Sequence, residues 1–262
     1  AILSNQKIQA YNNDSTAIVF DMSSVFLGDN KKMSPFDKNS IYGMYNRTEN
    51  YQSDCSYISQ IKAFKDNVSI KSCLSYTFSV SNSQGTSLIK DRPFTAEMTR
   101  SIMLLKEKPY RPRMADYRIG VFFTGREQLG EGAKTTVPVY YANRWDIQPS
   151  DTAAYLRGEK VKPTKQIVFY IDNTFPQKWK PYLREGVTQW NELFEQIGFK
   201  DVVAAKDFPT DDPEFDPDNI KYSCVRYAPS SIENAMGPSW VDPRSGEILN
   251  ASVYLYHNVI KL

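Results

Sequence analysis

A catalytic zinc site needs three protein ligands and an open position for water, commonly two histidines one helical turn apart with a third donor beyond. The chain carries one histidine, His257, and three scattered cysteines, Cys55, Cys73 and Cys224. Those donors assemble no catalytic zinc set, and no metal ligand or catalytic residue can be assigned. His257 follows Tyr254-Leu255-Tyr256 and reads as a hydrogen-bonded residue at a strand end. A serine triad would have to recruit the same imidazole, and Ser239, in Gly237-Pro238-Ser239, lacks the following glycine of a nucleophile elbow. Gly125, Gly130 and Gly132 fail as a phosphate loop because Glu131 stands where a lysine is required, and they read as a flexible hairpin loop. Asp211-Asp212-Pro213-Glu214-Phe215-Asp216-Pro217-Asp218 has the charge of a calcium loop without its ligand order or its glycine, and reads as a solvated loop. Nothing selects a carboxylate pair for glycoside hydrolysis among the 30 acidic residues. Lys106, Lys108, Arg111, Arg113 and Arg118, interleaved with Tyr110 and Tyr117, read as a solvated edge whose prolines block pairing, in preference to a nucleic-acid surface.

The three cysteines form no C-x-x-C pair, which removes a zinc knuckle and a thioredoxin-type site. Cys55 and Cys73 are near enough in sequence for a disulfide in an oxidising compartment; the plainer reading makes all three small buried apolar residues. Lysine and arginine total 32 against 30 acids, a net charge of +2, so no long-range field gathers nucleic acid or anionic membrane. No stretch approaches the roughly 20 apolar residues of a membrane helix. The 13% aromatic content, with frequent Asn and Ser, suits a β-rich extracytoplasmic protein, and many cytosolic proteins share it.

The elements that must position any site fall into two styles. Up to about residue 150 the chain alternates strand-like and turn-like segments. Ser15 to Asp21 is apolar and β-branched before the loop Gly28-Asp29-Asn30-Lys31-Lys32, and Val68 to Val80 runs into the turn Asn82-Ser83-Gln84-Gly85. Met98 to Leu105, Arg118 to Phe123 and Val137 to Ile147 are further strand expectations, and Tyr57 to Phe64 is ambiguous between helix and strand. No amphipathic helix is evident before residue 175. Residues 150–165 are polar, contain Gly158 and Pro163, and form the best linker candidate. Beyond them, Ile167 to Ile171 is an apolar run expected of a strand covered on both faces. Leu183, Val187, Trp190, Phe194 and Ile197 step by four, three, four and three, predicting one long amphipathic helix begun near Pro181 and ended by Gly198. Val202 to Ala205 and Ile220 to Tyr227 follow as strands, and Asp242-Pro243-Arg244-Ser245-Gly246-Glu247 turns between Ala235 to Val241 and Ile248 to Tyr256. The expected fold class is α+β: a β-rich domain over 1–157, then a mixed α/β sheet with one long helix over 158–262.

Several segments carry a resemblance. Gln166 to Asp172, Trp179 to Trp190, Phe194 to Phe199 and, most densely, Asn234 to Leu249 resemble the opening of metzincin-type zinc metallopeptidase domains in large exported bacterial proteins. Ile8 to Asp21, Ile58 to Ser69 and Glu107-Lys108-Pro109-Tyr110-Arg111-Pro112-Arg113 are similar to the β-rich domain that precedes the peptidase there. The resemblance implies a peptidase whose H-E-x-x-H helix follows the segment matching the end of this chain, so the chain reads as an excerpt, inactive alone. Zinc belongs to the intact family member, with none expected bound here. The implied partners are a peptide or protein substrate and the remainder of the same polypeptide, with no nucleic acid and no membrane span. The implied location is periplasmic, extracellular or at the cell surface. The resemblance also implies that an edge strand, here Ala235, Met236, Gly237, Pro238, Ser239 and Trp240, pairs with extended substrate. From the residues alone the same stretch is an ordinary hairpin strand.

Two rivals stand beside this reading. One is a non-catalytic exported binding or surface protein on the same scaffold; the other is an unrelated carboxylate-based hydrolase. Read as an excerpt, the chain is further expected to pack Val253, Leu255 and Val259 against material outside this sequence.

Overall fold

The computed structural model describes residues 5–29, 33–36, 45–130 and 135–261. Asn30, Lys31 and Lys32 of the expected loop, and Glu131 and Gly132 of the glycine stretch, lie outside them. The architecture is β-dominated α+β, as expected, and the chain divides into two compact units, Ala1–Met103 and Leu104–Leu262. Residues 104–157, grouped above with the β-rich domain, thus belong to the second unit.

The first unit is built on a three-stranded antiparallel meander, β3 (Tyr45–Ala63), β4 (Asn67–Asn82) and β5 (Ser87–Met103), with β4 central. It follows a small hairpin of β1 (Ile8–Tyr11) and β2 (Ile18–Phe20) and one helical turn, α1 (Ser23–Leu27). Alternation along β4 buries Ile70, Leu74 and Tyr76, and Val25 and Phe26 of α1 pack on Ile70. Tyr57 to Ala63 resolves as strand because pairing with β4, Tyr57 opposite Cys73, decides what its periodicity left open. A bulge between Gln52 and Tyr57 holds Cys55, with Ser56 Oγ accepting the Ser75 N–H at 3.0 Å. The cysteines differ from the expectation of three buried residues. Cys224 is buried, whereas Cys55 is exposed, Cys73 is half-buried, and all three are free thiols.

The second unit begins with irregular chain and a hairpin, β6 (Phe123–Gln128) and β7 (Val137–Ala142). Residues 118–122 are not strand, against expectation; they precede the first β6–β7 pair, Phe123 with Ala142. The supposed linker is packed structure. Asp151 caps α2 (Thr152–Leu156) through the Ala154 N–H at 2.9 Å, and Ala154 and Val161 enter a core with Ile167, Phe199, Val202 and Val203.

Four parallel strands follow, in the order β13 (Ile248–Tyr256), β10 (Ser223–Ala228), β8 (Ile167–Ile171) and β9 (Val203–Asp207). Two short segments, β11 (Ala235–Met236) and β12 (Ser239–Val241), pair antiparallel with β13 and complete the sheet. Helix cover lies on one face. The expected long helix is broken into a 3-10 turn (Gln177–Trp179), α3 (Lys180–Thr188) and α4 (Asn191–Gln196). Thr188 Oγ1 bonds back to the Arg184 carbonyl at 2.9 Å, and the next turn tightens through Glu192 N–H to Gln189 O at 3.1 Å.

The break shifts the buried stripe. Trp179, Leu183, Val187 and Phe194 pack on the sheet, while Trp190 and Ile197 are 60% and 57% exposed. Asn191 replaces Trp190 in the stripe. Its amide donates to Val203 O and accepts Val203 N–H, both at 2.8 Å, covering the β9 edge of the sheet. Gly198 ends α4 as expected, with φ of +88° and Phe199 N–H reaching back to Phe194 O at 3.0 Å. Val253 and Leu255 are half-buried and pack within this unit against Ile171, Phe175 and Val225.

Candidate functional site

All six residues from Ala235 to Trp240 are exposed, and they form the outer margin of the sheet beyond β13. Pairing runs in one register, Met236 with Tyr254 and Ser239 with Ala251, and Ser252 N–H donates to Pro238 O at 3.0 Å. In an antiparallel pair the N–H and C=O of one residue point to the same side, and the sides alternate along the strand. Met236, Pro238 and Trp240 therefore direct their backbone toward β13, whereas Ala235, Gly237 and Ser239 direct theirs outward. Pro238 sits where only an inward bond is lost, so it interrupts the ladder to β13 and leaves the outer edge intact. Asn234 Oδ1 takes the Ala235 N–H at 2.8 Å. Among the described residues no strand pairs with the outer side, which leaves Gly237 and Ser239 presenting both donor and acceptor.

Side chains alternate across the same segment. A Cβ added to Gly237 would lie 3.9 Å from Val253 Cγ2, which places Ala235, Gly237 and Ser239 on the helix-covered face. Met236 and Trp240, 51% and 42% exposed, stand on the opposite face, where Tyr256 Oη approaches Met236 Sδ at 3.8 Å. That opposite face is capped farther in by Phe215, whose ring lies 5.0 Å from Tyr170 and 4.9 Å from Tyr222. Asn250 fastens the cap by donating to the Ile220 and Tyr222 carbonyls, both at 2.8 Å. The acidic loop read as solvated is accordingly half packed. Phe215 anchors it, and Asp218 lies 3.8 Å from Arg226.

A clamp that sequence reasoning missed holds this margin from its far end. Asp242 and Glu247, buried at the turn between β12 and β13, close it through Asp242 N–H to Glu247 O at 2.8 Å. Arg144 N–H donates to Gly246 O at 3.0 Å, and Ile248 N–H to Arg144 O at 2.9 Å. Lys106 Nζ reaches Glu247 Oε1 at 2.7 Å, and Arg244 Nη2 reaches the Lys106 carbonyl at 2.6 Å. Arg144 is itself fixed, donating to Tyr110 Oη at 2.5 Å and lying over its ring at 4.2 Å. Lys106 stays exposed, as the solvated-edge reading expected, while its amine reaches the buried Glu247.

Charge follows geometry. The Arg244 side chain, donating to both Asp242 oxygens, holds that carboxyl below its usual range against the upward push of desolvation. The hydrogen bond to Glu247 raises the Lys106 amine, also against desolvation. The sequence signal for this clamp was the turn itself, with Gly246 and the acids Asp242 and Glu247 together. Its partners lie over a hundred residues upstream, where no local pattern points to them.

His257 lies past the carboxyl end of β13, sharing a hydrogen bond with Tyr227 Oη at 2.5 Å and stacked on Trp179 at 5.9 Å. The expectation of a hydrogen-bonded strand-end histidine holds. Among the described residues no group of three His, Cys, Asp or Glu side chains is placed to hold a metal ion. No helix among them is long and apolar enough to cross a membrane.

The fold and the margin together define a β-rich α+β protein whose second unit is a parallel sheet finished by one antiparallel edge. The chain belongs to the family described as "Domain of unknown function (DUF5117)", whose model matches residues 1–150. No curated protein and no solved structure matches the chain. The matched stretch ends just beyond Arg144 and Asp146, so the family region contributes the Lys106 and Arg144 half of the clamp that grips the β12–β13 turn.

Proposed function

We propose that residues 158–262, within the second unit, are the front of a metzincin-type zinc peptidase domain, and that their edge, Ala235 to Trp240, receives an extended peptide by strand addition. The observation that carries the reading is the antiparallel edge whose outward backbone groups, at Gly237 and Ser239, belong to a hydrogen and a hydroxymethyl side chain. Small side chains let another backbone approach, and the unpaired groups supply its hydrogen bonds. The helix-backed sheet and the order of the resembling segments support the same assignment. An exported setting is part of this proposal.

The zinc such a protein would use does not fit the residues of this chain. His257 is its one imidazole, engaged by Tyr227 and Trp179, and among the described residues no donor set surrounds it. No chemical step is assigned to these residues; their part is to bind and align peptide.

The test is amide hydrogen exchange on the 262-residue chain with and without an extended peptide. Protection gained at Gly237 and Ser239, and not at Met236 or Trp240, is the expected result. Unchanged exchange across 235–241 at saturating peptide would remove the reading. The rival, a non-catalytic binding protein on the same scaffold, separates at the level of the whole polypeptide. Stoichiometric zinc with chelator-sensitive peptide cleavage favours the peptidase, and peptide binding without cleavage favours the rival.

A further inference from the structure

The two faces of the edge strand are unlike in a way that strand addition alone does not require. Toward the helix-covered face it presents Ala235, Gly237 and Ser239, all small. Toward the other it presents Met236, Pro238 and Trp240, all apolar and all exposed. These two sets also differ in backbone direction, because the first points its N–H and C=O outward and the second inward. A strand added antiparallel would hydrogen-bond through the residues opposite Gly237 and Ser239. Residues of that strand opposite Met236, Pro238 and Trp240 would form non-hydrogen-bonded pairs, in which side chains approach closest.

We infer that the edge selects extended peptides with apolar side chains at three alternate positions, i, i+2 and i+4, all facing Met236, Pro238 and Trp240. The inference rests on the strand-addition reading and adds the substrate class. The hydrogen bonds come from positions i+1 and i+3, which are free to be polar. The apolar positions gain cross-strand contacts with the thioether, the proline ring and the indole.

Fluorescence anisotropy with two labelled peptides of equal composition tests this. Leu-Ser-Leu-Ser-Leu can set three leucines on the apolar face, whereas Leu-Leu-Leu-Ser-Ser can set at most two in any register. The first should bind about fivefold to tenfold tighter, on the scale of one to two cross-strand apolar pairs. The double substitution Met236→Ser, Trp240→Ser should abolish that difference. N-methylation tests the register without altering the protein. Methyl groups on both serine nitrogens of the alternating peptide should weaken binding at least tenfold, and one on the central leucine nitrogen should leave it within about twofold.

Equal binding of the two sequences, with sensitivity to serine N-methylation retained, would overturn the alternation and leave strand addition standing. Binding of neither peptide, or indifference to all N-methylation, would overturn both. A chain that dimerises in size-exclusion chromatography, with the dimer lost in the Met236→Ser, Trp240→Ser variant, would make the occupant a second copy and also overturn the inference.

Discussion

Gly246 is where the clamp on the edge strand can be tested most sharply. Its φ is +75°, and a Cβ there would stand 2.7 Å from the Ala142 carbonyl oxygen and 3.3 Å from its carbon. Gly246→Ala therefore faces two penalties. The left-handed backbone costs an alanine about 1–2 kcal/mol. Moving away from a backbone carbonyl also strains the Arg144 N–H to Gly246 O bond, 3.0 Å, and the Gly246 N–H to Asp242 O bond, 2.8 Å. Each of these bonds is worth roughly 0.5–1.5 kcal/mol net. The sum is about 2–5 kcal/mol. Two other glycines separate the causes. Gly158 has a φ of +86° with nothing within 4 Å of an added Cβ, so Gly158→Ala should cost only the backbone part, about 1–2 kcal/mol. Gly186, inside α3 with ordinary φ and open space, should gain about 0.5–1 kcal/mol as alanine. Urea unfolding followed by tryptophan fluorescence suits the measurement. All four tryptophans, at 145, 179, 190 and 240, lie in the second unit, so the signal reports that unit alone. A Gly246→Ala loss no larger than that of Gly158→Ala would refute the close approach to Ala142 and, with it, the clamp.

Two further predictions use the charged and thiol groups. Asp242 has a carboxyl pKa below its unfolded value, so it contributes stability that is present above about pH 4 and is lost as pH falls through its depressed pKa. Asp242→Asn should destabilise the second unit at pH 7 by about 1–3 kcal/mol and flatten the acid limb of its stability profile; an unchanged acid limb in urea midpoints from pH 2 to pH 5 would contradict this. Burial pushes the Cys224 thiol up to about 12, while Cys55 lies exposed in the β3 bulge. Thiol titration at pH 8 should accordingly label Cys55 in the native chain and Cys224 only after denaturation, and rapid native labelling of Cys224 on mass-spectrometric mapping would count against its packing.

Local pattern was a good guide wherever one segment determines its own form. Ile248 to Tyr256 is a strand over the expected residues, the Asp242 to Glu247 turn is where turn chemistry put it, and Gly198 stops its helix. The α+β class followed from the same signals. Errors arose where a distant partner decides. Trp190 lost its place in the helix stripe to Asn191 because the bare β9 edge offered Asn191 an amide pairing that no periodicity registers. The linker reading of 150–165 failed because polar composition conceals that Ala154 and Val161 find partners in Phe199 and Val202. Three buried cysteines were expected where only Cys224 is buried, since exposure at Cys55 comes from a bulge set by pairing with Ser75.

The candidate edge shows the same division. Sequence alone determined that Ala235 to Trp240 is strand-like, carries Gly237 and Pro238, and precedes a tight turn. It also determined that one histidine and three dispersed cysteines provide no zinc set within the chain. Tertiary structure decided which side of that strand is open, that Pro238 points its nitrogen inward, and that Lys106 and Arg144 hold the turn. The reason is physical. A residue's type fixes what bonds it can make, but the direction of a backbone group, and the burial of a charge such as Glu247, depend on which strand lies beside it. That neighbour is chosen by contacts between segments far apart in the chain.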